Sequence, residues 1–342
     1  MGDPAMRHVL GRFVGRLEEP RPGYSQSQDE EGVWFQAGCP QGGRLTWLGP
    51  DVKDYYCIDA PANLTLVLSN EGGSGGGGHL AELEPTGEED HLRARAFCDA
   101  EEVSTAIRLE AKVEDGSGGH SHGDEPVRRP RGTLVGNDRI GETITVPAGS
   151  QFSYRAPAVS GDHTIEATCV DTSLSCKQEG PDQVWVGMKN LVPLAAFSEY
   201  ELIGDTDSHP DNHYLTGEAL NRVVVLAALY RGQLKQLFPE PEFDFKLHLN
   251  DASLERGGIF DISNTWTRPH AEHCMGTAID IRANDAPGAI PNWYREKFEE
   301  LARVVGADPG ELEIPRDSSG RRTPDLRHYH VRLMGQEGIQ CP

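Results

Sequence analysis

The periodicity of apolar residues changes once along the chain, near Val192, and that change limits the possible folds more than any other feature. Before it, short apolar segments alternate with polar positions and are broken by turn formers. Leu64 to Leu68 alternates imperfectly, and Thr105 to Val113 is rich in β-formers. Thr143 to Val146, Phe152 to Tyr154 and His163 to Cys169 read as further strands, the last two flanking the turn Ser160-Gly161-Asp162. After Val192 the period lengthens. Leu220, Val223, Ala227, Tyr230 and Leu234 recur at helical spacing behind a Thr216 cap, with Pro239 and Pro241 past the end. Phe243, Phe245, Leu247 and Leu249 then alternate with Asp244, Lys246 and His248, the pattern of a half-buried strand. A strand over Thr277 to Arg282 follows. A helix from about Asn292 directs Trp293, Phe298, Leu301 and Val305 toward a core and stops at Gly306, and His328 to Leu333 forms a last strand. The expected fold is multidomain. Two N-terminal all-β units, residues 1–102 and an immunoglobulin-like sandwich at 103–190, precede a C-terminal α+β domain at 191–342 with a mostly antiparallel sheet.

Composition narrows the function classes. Acidic residues outnumber basic ones 54 to 32, giving a net charge of −22. Binding to nucleic-acid phosphates needs basic patches, so DNA and RNA are excluded as expected partners. No stretch reaches the roughly 18 to 20 consecutive apolar residues of a membrane span. The seven cysteines form no Cys-x-x-Cys pair, so disulfides are their expected use, with one thiol left over. Disulfides place the protein in a secreted, periplasmic or cell-surface setting, and because the chain opens without a signal-peptide pattern, a removed signal is expected. The glycine-rich run from Gly72 to Gly78 reads as a loop tip. Two histidines, His120 and His122, sit between glycines; with no third ligand near them in sequence, they read as a solvated loop and stay outside the expected site.

The chemistry gathers in Pro269-His270-Ala271-Glu272-His273-Cys274-Met275-Gly276-Thr277-Ala278-Ile279-Asp280-Ile281 and the later His328-Tyr329-His330-Val331-Arg332-Leu333. Residues two apart on a strand share a face. Asp280 therefore points opposite to Ile279 and Ile281, and His328 and His330 point together, opposite to Tyr329 and Val331. Gly276 lets the backbone turn His273 back toward Asp280. Two imidazoles and one carboxylate are the ligand set of a catalytic zinc, which keeps a fourth position for water, and the second member of the His-x-His pair can act as general base. Cys274, beside a ligand, reads as a small packed residue.

His-x-x-Gly-x-x-x-Asp followed by a late His-x-His resembles the zinc signature of the LAS metallopeptidases, the group that holds D-Ala-D-Ala carboxypeptidases, lysostaphin-type enzymes and the hedgehog signalling domain. Within that group it is most similar to the penicillin-insensitive murein endopeptidases, with His270 three residues before the first ligand and Cys341 after the last strand. The resemblance implies a hedgehog/DD-peptidase-like zinc domain over about the last 140 residues, with His273, Asp280 and His330 as Zn2+ ligands and His328 as catalytic base. It implies amide hydrolysis in peptidoglycan stem peptides or related peptides. One departure is Asp325, where a further histidine is expected; its carboxylate would orient the base imidazole or alter substrate handling. The other expected substrate-binding residues have two readings each. Arg256 and Arg268 either grip a substrate carboxylate or solvate the surface, and His209 and His213 either line the cleft or serve the turn and helix entry around them. A zinc-stabilised secreted binding or adhesion protein without turnover is the alternative to a zinc metallopeptidase. The β units are expected to fold independently and to supply no ligands.

Overall fold

The computed structural model describes residues 63–334, apart from short segments at 74, 77, 99–100, 121, 123–126, 172–174, 241–244, 262–265, 267–271, 285–288 and 316–318. Before residue 63 it describes the backbone of two antiparallel strand pairs, Ser25–Asp29 with Gly32–Gln36 and Arg44–Thr46 with Tyr56–Ile58. The protein is a β-rich, multidomain chain with two α-helices of ten or more residues among the described residues.

The front part is one two-layer sandwich. Its strands are β1 (Asn63–Asn70), β2 (Ala81–Leu83), β3 (Glu89–Cys98), β4 (Ala106–Val113), β5 (Thr133–Gly136), β6 (Arg139–Gly141), β7 (Thr143–Pro147), β8 (Gln151–Arg155), β9 (Gly161–Cys169), β10 (Ser175–Glu179) and β11 (Gln183–Val186). One sheet runs β6-β5-β8-β3-β1-β10 with the short segment Glu101–Glu102 beside β3, and the other runs β7-β4-β9-β11-β2. The alternation in sequence sets the layers. Leu64, Leu66 and Leu68 of β1 and Leu92, Ala94 and Ala96 of β3 are buried, as are Ile107, Leu109 and Ala111 of β4. Residues from both sheets join in a single apolar core. A disulfide between Cys169 and Cys176 ties β9 to β10 across the two sheets.

Two expectations are corrected here. The boundary expected between residues 102 and 103 falls inside this sandwich, because β1 and β3 pair with each other and with β8 and β10 from beyond it. Strand pairing across long sequence separations, invisible to a local pattern, makes one unit of two. The strand expected from Phe243 is also shorter, covering Leu247–Leu249, and residues 241–244 lie outside the described set.

The C-terminal part is α+β. Its sheet orders β12 (Tyr200–Leu202), β13 (Leu247–Leu249), β14 (Ala278–Arg282), β16 (His328–Arg332) and β15 (Leu312–Glu313). Helix α1 (Gly217–Leu237) starts where the Thr216 hydroxyl accepts from the Ala219 amide at 3.3 Å. Helix α2 (Arg295–Val304) buries Phe298, Leu301 and Ala302. Both helices cover the apolar face of the sheet, where Ile279, Ile281, Tyr329 and Val331 meet Val223, Tyr230 and Phe298 in one core. Trp293 does not enter it. It lies in the 3-10 turn that precedes α2, 61% exposed, because the helical period assumed for it begins only at Arg295.

The two parts share a seam. Val159 forms a bridge with Gly258, the Ser160 hydroxyl donates to the Gly257 carbonyl at 2.6 Å, and Ile259 N donates to Ala158 O at 2.9 Å. Gly257 and Gly258 hold φ of +66° and +79°, and a Cβ on Gly258 would run into the backbone of Ala158 and Ser160. Arg256 grips Asp162 with two hydrogen bonds, 2.6 and 3.1 Å, and lies over the Trp185 ring.

The sandwich core also holds His163, fully buried on β9. Burial first, and then the Arg129 charge, push its imidazole down to about 3. Its folded value thus lies below its unfolded one, so the unfolded chain binds the extra proton. Stability contributed by keeping the ring neutral is whole above about pH 6.5 and falls as pH drops through the window down to about 3, by about 1.4 kcal/mol per pH unit for this one group. Chemical denaturation between pH 4 and 7 is expected to show that slope reduced by about one proton in a His163→Leu protein. An unchanged slope would show that His163 is not the acid-sensitive group.

Candidate metal centre

Strands β14 and β16 pair antiparallel in a register that sets Asp280 opposite His330 and Arg282 opposite His328. Because side chains alternate across a sheet, Asp280, His328 and His330 fall together on the face away from the helices. His273 reaches them from the 3-10 turn His273–Met275. That turn closes at Gly276, which takes φ +66° and donates its amide to the His273 carbonyl. The chain thus turns back onto β14 as the sequence anticipated.

One carboxylate organises the cluster. Asp280 Oδ1 lies 3.3 Å from His273 Nε2 and 3.0 Å from His330 Nδ1, and Oδ2 lies 3.3 Å from His328 Nε2. His273, Asp280 and His330 form a buried group whose ligand atoms all lie within 4.8 Å of one another, and it could hold a metal ion. Tetrahedral zinc with bonds of ~2.0 to 2.2 Å separates its ligand atoms by about 3.4 Å, so the donor set and its spacing fit that ion. Among the described residues no fourth side chain joins these three.

The surrounding residues fix ring orientations. His328 Nδ1 donates to the Leu326 carbonyl at 3.0 Å, which turns Nε2 toward Asp280. His330 Nε2 donates to Glu272 at 2.8 Å, which leaves Nδ1 facing the cluster, and Glu272 is itself held by Arg332 Nε at 2.5 Å. This carboxylate–imidazole pair is the arrangement that orients metal-ligating histidines. Glu272 lies within the Pro269 to Ile281 motif and has no role in the expected site. No local spacing signals that role, since its partners His330 and Arg332 lie 58 and 60 positions later in the chain. Asp251, also unassigned from sequence, packs behind the site with its carbonyl accepting from Asp280 N at 2.7 Å.

The protonation pattern follows from this geometry. Burial alone would raise Asp280, but His273 and His330 outweigh it and hold the carboxyl well below the ordinary range. Burial would likewise raise Glu272, and hydrogen bonds from Arg332 and His330 hold it below. Burial disfavours a charged His328, yet Glu313 and Asp280 push it up to about 9. Asp251 is raised to about 6, by burial and then by the Asp280 charge.

The remaining expected site residues scatter. Arg256 is committed to Asp162 and Trp185 at the seam, so it is not placed to receive a substrate carboxylate at this cluster. Asp325 is exposed on the turn Pro324–Leu326, and its backbone carbonyl accepts from Asn284; the Leu326 carbonyl, not the Asp325 carboxylate, orients the His328 ring. His213 is engaged by the Ile203 carbonyl at 3.0 Å and by Asp205 at 3.2 Å. Arg268 and His270 lie outside the described residues. Cys274 is buried and disulfide-bonded, which replaces the reading of a merely packed thiol. His209 joins His120, His122 and Asp261 in a second group able to hold a metal, so His120 and His122 are not a solvated loop and the β part does supply candidate ligands.

No family model matches the sequence, and no curated protein matches it. One solved structure with some likeness is the Yersinia pseudotuberculosis adhesin InvE, at 12% identity over 76% of this chain and 79% of that one, with a TM-score of 0.24. A TM-score at that level does not establish a shared fold. No helix among the described residues is long and apolar enough to cross a membrane, which says nothing of a β-barrel.

Proposed function

We propose that the C-terminal domain is a hedgehog/DD-peptidase-like zinc domain that hydrolyses amide bonds, with peptidoglycan stem peptides as the substrate class suggested by the motif's resemblance. The observation that carries this reading is the division of labour around Asp280. One carboxylate oxygen faces His273 and His330, and the other faces His328. His273, Asp280 and His330 would hold the zinc. Bound zinc would supply Lewis acidity toward a carbonyl oxygen and lower the pKa of a coordinated water.

The chain's own residues do the rest. The Leu326 carbonyl holds the His328 ring through Nδ1 so that Nε2 faces the cluster, the orientation a general base needs, and a bound zinc would offset the Asp280 charge that otherwise favours the protonated ring. Asp280 Oδ2, 3.3 Å from Nε2, stabilises the imidazolium formed when the ring takes a proton. The same proton can then pass to the leaving amine. Glu272 and Arg332 keep His330 in the rotamer that aims Nδ1 inward. A disulfide between Cys169 and Cys176 and another at Cys274 accord with a protein that acts in an oxidising compartment outside the cytosol.

Two substitutions test the roles. Replacing His328 with alanine is expected to leave zinc content at this site near that of the unaltered protein while lowering turnover of a muropeptide digest ~10²-fold or more. Loss of the metal instead would exchange the roles of His328 and His330. Glu272→Gln is expected to weaken zinc affinity at this site by ~10- to 100-fold in a chelator competition, with circular dichroism unchanged. A zinc-loaded protein that cleaves no peptide across a broad panel containing D-amino acids would overturn hydrolysis in favour of a zinc-stabilised binding protein.

A further inference from the structure

The structure assigns a second zinc site, built from His120, His122, His209 and Asp261, which closes the joint between the β-sandwich and the C-terminal domain. His120 and His122 lie in the segment that links β4 to β5, and His209 and Asp261 belong to the C-terminal part. All four offer ligand atoms within 4.8 Å of one another. Asp261 Oδ1 is the common point, 3.4 Å from His122 Nε2, 3.6 Å from His209 Nε2 and 4.0 Å from His120 Nδ1. The two Nε2 atoms are themselves 3.0 Å apart. These separations bracket the value of about 3.4 Å that a tetrahedral zinc imposes on its ligands.

The site is built rather than incidental. The side chains of His122 and Asp261 are fully buried, and those of His120 and His209 are 1% and 3% exposed. Neither ring nitrogen of His120 has a hydrogen-bond partner, and a buried imidazole left that way is destabilising unless something else meets its lone pair. Asp261 divides its oxygens. Oδ2 accepts from Trp266 N at 2.8 Å, which orients the carboxylate and leaves Oδ1 toward the three rings. The Trp266 indole covers the cluster, with its centroid 4.8 Å from that of His120 and 4.6 Å from that of His122.

The donor set selects both the ion and its role. Three imidazoles with one carboxylate suit a borderline-soft, tetrahedral divalent ion, hence zinc rather than calcium or magnesium, which take oxygen ligands. Four protein ligands complete the tetrahedron and leave no position for water or substrate, which marks a structural site. Two ligands come from each side of the seam, so metal binding is coupled to docking of the two parts. This inference does not depend on hydrolysis at the other cluster.

Metal counting on the full-length chain tests it. Mass-spectrometric analysis of protein dialysed after zinc loading is expected to find about two zinc ions per chain, and about one in the His122→Ala protein. Asp280→Ala, which removes the other cluster, is also expected to leave about one, and combining the two substitutions about none. Zinc content unaffected by His122→Ala would overturn the second site. Zinc content unaffected by Asp280→Ala would instead count against the first. If His122→Ala fails to fold, cobalt titration of the Asp280→Ala protein decides. About one equivalent with the intense visible absorption of tetrahedral Co²⁺ supports the site, and none overturns it.

Discussion

The antiparallel register between β14 and β16 is the constraint from which the candidate centre follows. With Asp280 opposite His330, a single choice of face sends Ile279, Ile281, Tyr329 and Val331 into the helix-covered core and gathers Asp280, His328 and His330 on the other side. A slip of one residue would exchange the two sets, burying charge beneath α1 and α2 and exposing the apolar residues. The hydrophobic core and the metal-ligand geometry are therefore selected by the same pairing. Neither can be shifted without the other.

Burial makes this arrangement demanding. Asp280 is fully buried, and an uncompensated carboxylate in that position would be destabilising by roughly several kcal/mol. Three imidazoles around it answer the charge, and the chain spends further polar groups in holding those imidazoles in place: the Leu326 carbonyl behind His328, and Glu272 with Arg332 behind His330. Phe260 stands between this cluster and the second one, its ring centroid 4.9 Å from His209 and 6.2 Å from His273. One apolar ring thus lies against a histidine of each polar group. Each set of ligands keeps its own geometry although the sets are near neighbours.

What could be read from sequence was whatever depended on local period. The strands at Leu64, Thr105 and His163, helix α1 with its Thr216 cap, and the shared face of His328 and His330 all follow from spacing within a few residues. Groupings that depend on distant pairing were out of reach. The sandwich takes strands from both sides of residue 102, a fact about hydrogen bonding between segments tens of residues apart. His122 meets a partner 87 positions later in the chain, so the rule that a metal site needs a third ligand nearby in sequence set His120 and His122 aside wrongly as candidates. Glu272 stood inside the quoted motif, but its role rests on Arg332 and His330 across the sheet, and a linear reading gives no reason to connect them.

The seam at Ala158 to Asp162 and Arg256 to Ile259 bears on how such a protein can change over evolution. Beside the side-chain contacts of Ser160, Arg256 and Asp162, part of the seam runs backbone to backbone, through Gly258 against Ala158 and Ser160 and through Ile259 N to Ala158 O, and that part has no side chain that could shrink or grow to absorb a misfit. Side-chain interfaces tolerate drift by small compensating substitutions. A main-chain interface does not, since its complementarity lies in the path of the chain. The sandwich and the C-terminal domain are therefore poor candidates for separate shuffling among other proteins. They are expected to be inherited as one piece, with the two glycines the least replaceable residues of the joint.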